Sequence, residues 1–586
     1  MTAFAAILHR NDDPPSTAGI ADVLGSITGR PASAVRLGRC VLLAAPLHAD
    51  DPPAPVTTSS GAVLAGQLLF EKGGCPLFSQ KKGAVPFFGG SSGLAGEYAF
   101  ACWDPAEQTL LCARDGLGIR LLYVAEAPGA IVVTNVLAAA LRHPRISTAL
   151  DAAALIAFLE HGGPIDEVRT CYRDVKVLPP GHTLAIDGRS FEARLWRHWH
   201  FPAPDGARRA DAAIVEEYRA RLTDAVRDRL DGRATSIFLS GGIDSTTMAA
   251  AATEAAPAGS LRALTTRYPR YVDDVELPFT RAAAERLRLP LTVLDADRHV
   301  PWQVDPGDPP PPFPLDEPML ADWRDALASA AEHGTVALYG EDGDALLRPP
   351  GWHALRSAAS VAQIAFAAAR YTLAERRRPY VGLRWRERFG IVRPRGHAAP
   401  KWLTEDARAV LDRAEPATVL GRSPEPLPPH PTRPEAQAIL TSTTISRHFA
   451  ATIAPETTRR RVELRFPILD TRLVRFVMSV PAIPWCQQKT LPRRAYRGRL
   501  PDAVLDRPKT PLIGFNEAMV AAWRSADGGA ARAPADPVAG WIDVAEWART
   551  LDDAAPGAVM AAWRVSALNA WLTGRARDTE STACIR

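Results

Sequence analysis

Ile237-Phe238-Leu239-Ser240-Gly241-Gly242-Ile243-Asp244-Ser245 is the stretch that decides the fold. Three apolar residues run into a Ser/Gly turn, and the small residues from Ser245 onward suit a helix, so the pattern predicts a strand, a tight loop and a helix. Two glycines let backbone N–H groups approach a polyanion. Ser240 and Ser245 add hydroxyl donors, and the helix N-terminus points its positive end at the same place. Such a loop selects a polyphosphate. Asp244 would repel phosphate unless a divalent cation lay between them, so the loop also implies Mg2+.

Around this stretch the pattern alternates. Helices are expected over 215–230, 245–256 and 277–288, and strands over 236–239, 261–266 and 291–294, which predicts a parallel, doubly wound sheet with ligands at the strand C-terminal ends. Upstream, residues 1 to about 200 read as short strands and turns. Strands are expected over 62–66, 97–104, 109–115, 130–134 and 183–186, with one helix over 152–160, and together they predict a mainly antiparallel domain. Residues 201–209 read as a linker. The proline-rich segments 305–318 and 424–434 read as surface loops, and the basic, aromatic-studded segment 370–395 as a solvated helix face.

Composition sets outer bounds. A chain of 586 residues with 47% hydrophobic content supports several sizeable cores, and a net charge of +4 gives no field that would favour nucleic acid. Seven scattered cysteines without a Cys-x-x-Cys pair argue against a disulfide framework or a zinc site. No basic n-region with a cleavage site and no apolar run of about 18 residues is present, so the expected location is the cytoplasm, with no membrane partner. Only seven of the 69 basic residues are lysines, which singles out Lys489 and Lys509 as positions where a compact charge is wanted rather than a guanidinium.

Four ordered motifs carry a resemblance. The loop at 240–245 is followed by Gly340-Glu341-Asp342-Gly343-Asp344, by Glu463-Leu464-Arg465-Phe466-Pro467-Ile468-Leu469-Asp470, and by Lys489…Arg493, Leu500-Pro501 and Arg507-Pro508-Lys509. Together they resemble the asparagine synthetase superfamily of ATP-pyrophosphatases. Leu94-Ala95-Gly96-Glu97-Tyr98-Ala99-Phe100, Trp103-Asp104, Ala113-Arg114-Asp115-Gly116-Leu117-Gly118 and Leu178-Pro179-Pro180-Gly181-His182 are similar to the framework of that family's glutaminase domain. The resemblance implies an α+β glutaminase-like sandwich of the N-terminal-nucleophile type over 1–205, then an α/β ATP-pyrophosphatase domain with a doubly wound parallel sheet over 206–586. It implies ATP and Mg2+ as cofactors. Leu239, Ser240, Gly241, Gly242, Asp244, Ser245, Thr265, Gly340 and Lys489 would bind the nucleotide, Asp244 and Asp344 the metal, and Lys489, Glu341 and Asp344 would serve catalysis. Glu463 with Arg465, and Arg114 with Asp115, are expected to be structural.

Two departures narrow the expected function. The sequence opens Met1-Thr2-Ala3, where glutamine-dependent relatives place a cysteine after Met, and neither an Arg-Gly-Pro-Asp nor an Asn-Gly-Glu run follows. The expected amine is therefore carried by the substrate. The run 481–510 and the tryptophan-containing segment 321–332 most resemble lasso peptide macrocyclases, which implies a precursor peptide as substrate and a leader peptidase and leader-binding protein as partners. A β-lactam synthetase-like small-molecule enzyme and an ammonia-dependent asparagine synthetase are the alternatives.

Overall fold

The computed structural model describes residues 2–10, 17–48, 55–58, 61–70, 96–163, 165–202, 209–273, 275–302, 311–379, 400–508, 514–525, 538–553 and 556–583. Leu94, Ala95, Lys509, Cys75, Cys584, linker residues 203–208, residues 305–310 and the basic stretch 380–395 lie outside them.

Residues 2–197 supply β1 (Thr2–His9), β2 (Ser33–Leu37), β3 (Cys40–Pro46), β4 (Val56–Thr57), β5 (Val63–Phe70), β6 (Gly96–Asp104), β7 (Thr109–Arg114), β8 (Tyr123–Ala127), β9 (Ala130–Thr134), β10 (Val175–Val177), β11 (His182–Asp187) and β12 (Ala193–Arg197). They form two six-stranded sheets, β10-β8-β9-β1-β3-β2 and β12-β11-β7-β6-β5-β4, antiparallel at every pairing. Side-chain alternation in β1 shows how they stack. Phe4, Ala6 and Leu8 share a core with Val63, Ala99, Trp103 and Cys112 of the second sheet, whereas Ala3, Ala5 and Ile7 belong to a core built with helices. That helical layer contains Ala152–His161 and Pro556–Ala583, which pack on each other, and Arg564 Nη1 donates to the carbonyl of Glu160 at 2.7 Å.

The third sheet is parallel: β13 (Thr235–Phe238), β14 (Leu261–Arg267), β15 (Leu291–Asp295), β16 (Val336–Leu338) and β17 (Glu463–Arg465), in the order β15-β14-β13-β16-β17. The chain winds outward from β13 on one side, then returns to lay β16 on the other. A crevice therefore opens between the C-terminal ends of β13 and β16. The helix after β13 spans Ile243–Ala255, two residues earlier than the sequence pattern suggests, because Gly242 in extended backbone acts as its N-cap and brings Asp244 into the first turn.

The antiparallel sheets and the parallel sheet meet on buried charge. Glu97 of β6, fully buried, accepts from Arg120 Nη2 at 2.6 Å, from Arg229 Nε at 2.8 Å and from the backbone N–H of Phe466 at 3.1 Å. Arg229 also reaches Asp470 at 2.7 Å, and Arg465 pairs with Glu463 at 2.8 Å and Asp231 at 2.9 Å. Gln67 Nε2 donates to Glu463 at 3.1 Å. Glu463 and Arg465 are thus a structural pair and line neither cavity described below. Arg114 and Asp115 are structural too: the guanidinium caps the carbonyls of Gly118, Arg120 and Leu178, and the carboxylate accepts from the N–H groups of Leu117, Ile119 and Arg120. Burial pushes Asp115 up to about 6.

Glu97→Ala would take from the buried Arg120 its 2.6 Å partner and leave the buried Arg229 with Asp470 alone. The expected loss is ~3–5 kcal/mol, read as a lower thermal midpoint, whereas Arg497→Ala at an exposed pair is expected to cost under ~1 kcal/mol. Burial works against ionisation of Glu463 and Asp470, but Arg465 with His48 and Arg120 around the first, and Arg229 with Arg472 around the second, together hold both below the usual carboxylate range. Their stabilisation is complete above a pH of about 4, the unfolded value, and falls away below it. A denaturant midpoint that stayed flat on acidification through that range would contradict this.

Candidate functional site

The loop Leu239–Gly242 leaves β13 at the crevice. Its hydroxyls face each other: Ser240 Oγ lies 3.1 Å from Ser245 Oγ, which also accepts from the N–H of Ser240 at 3.1 Å. Gly241 sits at φ 70°, and a Cβ there would come within 2.9 Å of the carbonyl of Glu276 and the N–H of Thr280, so the turn needs glycine on both counts. The loop after β16 closes the other side. A Cβ on Gly343 would stand 2.3 Å from the Asp244 carboxyl carbon, so the bare backbone is what lets Asp244 lie across it. Asp344 falls in the first turn of Gly343–Leu346 and is not its N-cap; Asp342 holds that position at φ 60°.

A third wall comes from residues 486–508. Gln488 and Lys489 both adopt left-handed backbone, at φ 50° and 57°, a strain of ~1–3 kcal/mol each that the surroundings must hold in place. Arg493 does so by donating to the carbonyls of Gln488, at 2.7 Å, of Leu505, and of Arg507, at 2.8 Å. The result aims the Lys489 ammonium between two carboxylates, 2.5 Å from Asp244 Oδ2 and 2.6 Å from Asp344 Oδ1. Burial opposes the Lys489 charge, but Asp244 and Asp344 outweigh it and raise its pKa.

Two cavities meet at the loop, and the triad lines one of them. One, of about 540 Å3, is lined by Ser240, Gly241, Gly242, Asp244, Asp344 and Lys489 among others. The second, of about 380 Å3, is lined by Leu239, Thr265, Tyr268, Trp323, Tyr339 and Glu341 among others. Ser240, Ser245, Glu276 and Gly340 line both, so the two form one bipartite cleft. Every residue singled out from sequence for nucleotide, metal or catalysis therefore lines this cleft.

Several residues in the cleft wall, or touching one that is, were not anticipated. Glu276 bonds to Arg507 at 3.0 Å and no motif marks it. Arg493 and Arg507 stood in the quoted motif without an assigned role. His448, on Thr443–Ile453, lies 3.4 Å from Glu341 and carries no local signal at all, since some 107 positions of sequence separate the pair. Burial first, then Glu341, push Asp342 up to about 7.

Asp244 and Asp344 converge on one cation position, now taken by the Lys489 ammonium, and both offer hard oxygen donors. That fits Mg2+, which is commonly held by one or two carboxylates plus substrate phosphates. Among the described residues no group of three His, Cys, Asp or Glu side chains forms a ready-made metal cage, so further ligands would be phosphate oxygens and water.

The asparagine synthase family model matches residues 217–573, and the glutamine amidotransferase domain model matches residues 90–199. The chain belongs to the asparagine synthase family. It is similar to a putative asparagine synthetase (glutamine-hydrolyzing) of Mycobacterium tuberculosis, 29% identical over 274 residues covering 43% of this chain and 39% of that one. It is also similar to amidase chyE of Penicillium rubens, 33% identical over 162 residues, 27% of this chain and 23% of that one. Asparagine synthetase 3 of Bacillus subtilis is 27% identical over 160 residues, 27% of this chain and 26% of its own. The matches span less than half the length of these curated relatives.

Lys489→Met is expected to cut nucleotide-dependent turnover by ~10²–10³-fold with the circular dichroism spectrum unchanged. Lys489→Arg should fail to restore it, because a planar guanidinium does not fit the point between the two carboxylates. Near-normal turnover in either variant would remove Lys489 from the site's chemistry.

Proposed function

We propose that the chain is an AMP-forming, ATP-dependent amide ligase acting on a single peptide, joining the amine of the peptide's first residue to an Asp or Glu side chain further along, as in lasso peptide biosynthesis. The observation that carries the ligase reading is the Asp244–Lys489–Asp344 triad in the wall of the larger cavity, beside the loop whose Ser240 and Ser245 line both cavities. The peptide reading is supported by the resemblance over 481–510 and by the absence of the glutamine-holding runs.

In this reading the nucleoside occupies the cavity lined by Leu239 and Thr265, and the triphosphate crosses the rim onto the Ser240–Ser245 loop. Mg2+ on Asp244 and Asp344 would neutralise phosphate charge there. A peptide carboxylate oxygen attacks the α-phosphorus, the bond to pyrophosphate breaks, and the Lys489 ammonium, released from its carboxylates toward the phosphates, stabilises the charge on the departing group. The peptide amine then attacks the acyl carbon, AMP leaves with the C–O electron pair, and nitrogen sheds a proton. Holding both ends of one peptide together supplies the rate: effective molarity offsets ~7–11 kcal/mol in well-oriented cases. A leader peptidase and a leader-binding protein would deliver the processed peptide.

The test incubates the chain with ATP, Mg2+ and a synthetic peptide carrying glycine at its first position and aspartate at its eighth, followed by a tail. AMP, pyrophosphate and a product lighter by one water are expected, and Asp244→Asn or Asp344→Asn should abolish all three. ADP with orthophosphate would overturn the ligase reading. Asparagine formed from aspartate and ammonium, with the peptide inert, would replace the cyclase by an ammonia-dependent asparagine synthetase. Added glutamine should yield no glutamate, and Thr2→Ala should leave turnover unchanged.

A further inference from the structure

A single exposed leucine or phenylalanine needs no explanation, but a row of them does. Of the seven large hydrophobic side chains exposed among the described residues, four fall in residues 352–373: Trp352, Val361, Phe366 and Leu373. That stretch borders the cleft. Arg348 and Pro349 line the larger cavity, and Trp352 opens the helix Trp352–Ala358 directly after them. A solvated helix face over 370–395 accounts for the arginines there but not for these apolar groups.

The helix Val361–Glu375 has two apolar faces. Its start is capped in both directions: Ser360 Oγ accepts from the Gln363 N–H at 3.3 Å, and the Gln363 side chain accepts from the Ser360 N–H at 2.9 Å. Inward, Ile364 and Tyr371 pack with Leu355 and Ile483. Tyr371 lies against Thr490, the residue after Lys489. Glu375 accepts at 2.7 Å from Arg494, whose guanidinium sits 5.4 Å over the Trp485 ring. The inner face is therefore fastened to the wall that carries Lys489. Outward, Ala362, Phe366, Ala369 and Leu373 follow one another at intervals of four, three and four, and Phe366 and Leu373 are 69% and 82% exposed. That spacing is the seam of two helices packed side by side, with alanines between the bulky groups where a second backbone can come close. It runs roughly 16 Å along the axis.

Charge says what the second helix carries. Arg370 is paired with Asp211 at 2.6 Å, and Glu375 with Arg494. Past the end of the stripe stand Arg376, Arg377 and Arg378, all exposed, and among the described residues no carboxylate pairs with them. Asp506 feels the charge of Arg377 but is already bonded to Arg497 at 2.6 Å. The helix dipole favours a cation at this end, but it amounts to about half a charge, which three guanidiniums exceed. A second copy of this chain would not answer them. Laid antiparallel, the arginines would meet the other helix's first turn, which has no acidic residue and carries the positive dipole end; laid parallel, they would meet each other. A lipid surface would answer the charge, but the alanines at 362, 365 and 369 offer it little apolar area to bury.

We propose that the outer face of Val361–Glu375 is a docking surface for an amphipathic, acidic helix of a separate protein, whose apolar side chains set into the Ala362–Leu373 seam and whose carboxylates meet Arg376, Arg377 and Arg378. Docking there places the partner beside the larger cavity, on the helix that holds the Lys489 wall from outside. The inference concerns binding and stands apart from the ligase reading, so its test needs no turnover.

The probes are two synthetic helical peptides with leucine at the same four-three-four spacing, one carrying glutamate and the other lysine at its remaining positions. Fluorescence anisotropy reads their binding to the full-length chain. The glutamate peptide is expected to bind, and the lysine peptide to bind at least ~10-fold more weakly. Phe366→Glu and Leu373→Glu are each expected to weaken the glutamate peptide by ~10-fold or more, with the thermal midpoint unchanged because both side chains already stand in water. Arg376→Glu, Arg377→Glu and Arg378→Glu combined leave the seam intact and are expected to reverse the preference toward the lysine peptide. Equal affinity for the two peptides, binding of neither, or binding that ignores both the seam and the charge-reversed variants overturns the proposal. So does a dimer in analytical ultracentrifugation that Phe366→Glu dissolves, which would give the face to a second copy. Cosedimentation with phosphatidylglycerol vesicles that Phe366→Glu abolishes, while the glutamate peptide stays unbound, would give it to a membrane and overturn the proposal equally.

Discussion

Glu97 is a carboxylate with no exposed surface, and it has to find positive charge or be expelled. It finds Arg120 from its own domain and Arg229 from the helix Asp211–Leu230 that leads into the parallel sheet. Arg229 passes the constraint on to Asp470, and Phe466 N–H closes on the same Glu97 oxygen. Desolvating several ions is expensive, and the arrangement holds only where every partner is present with good geometry. This fixes the position of β17, hence of its neighbour β16, and therefore of the loop that carries Gly340, Glu341 and Asp344. A charge centre in the antiparallel sheets thus sets the register of the cleft in the parallel one.

The cleft is built on the same logic with opposite intent. The interior network is matched partner for partner and sealed. At the rim, Lys489 is matched by Asp244 and Asp344 but remains partly open, with Asp344 more than half exposed. Each carboxylate has another cation it could accept, and the ammonium has other anions it could meet. Left-handed backbone at Gln488 and Lys489, braced by Arg493, keeps that ammonium from drifting to a more relaxed place. Strain in the wall and exchangeable ion pairs at the rim suit a site whose charges must be regrouped when a polyphosphate enters.

Local signals made much of this legible from sequence. The strand–loop–helix at 237–245 was readable because glycine, serine and apolar runs each have a backbone consequence within a few residues, and the alternation of helices and strands gave the parallel sheet. The parts that were not legible depend on distant residues. His448 reaches Glu341 only through a helix whose placement is set by tertiary packing. Glu276 lines the cleft from the turn before Leu277–Leu287 with no motif around it. The helix start at Ile243 shifted by two residues because the N-cap was chosen by Gly242's backbone rather than by a side-chain hydroxyl. The partnership of Glu97 with Arg229 could not be seen because charge complementarity in a sequence has no address.

The helical layer over the first sheet joins distant stretches of chain. β1 lies at its centre, while Trp547, Trp563 and Trp571, which complete the apolar layer on that side, are made long after it. During synthesis this layer closes in two stages: Ala18–Thr28, made directly after β1, packs on it early, whereas Ala152–His161 has to wait for Pro556–Ala583 until nearly all of the chain has left the ribosome. The apolar surface left open longest therefore belongs to an early helix and not to β1.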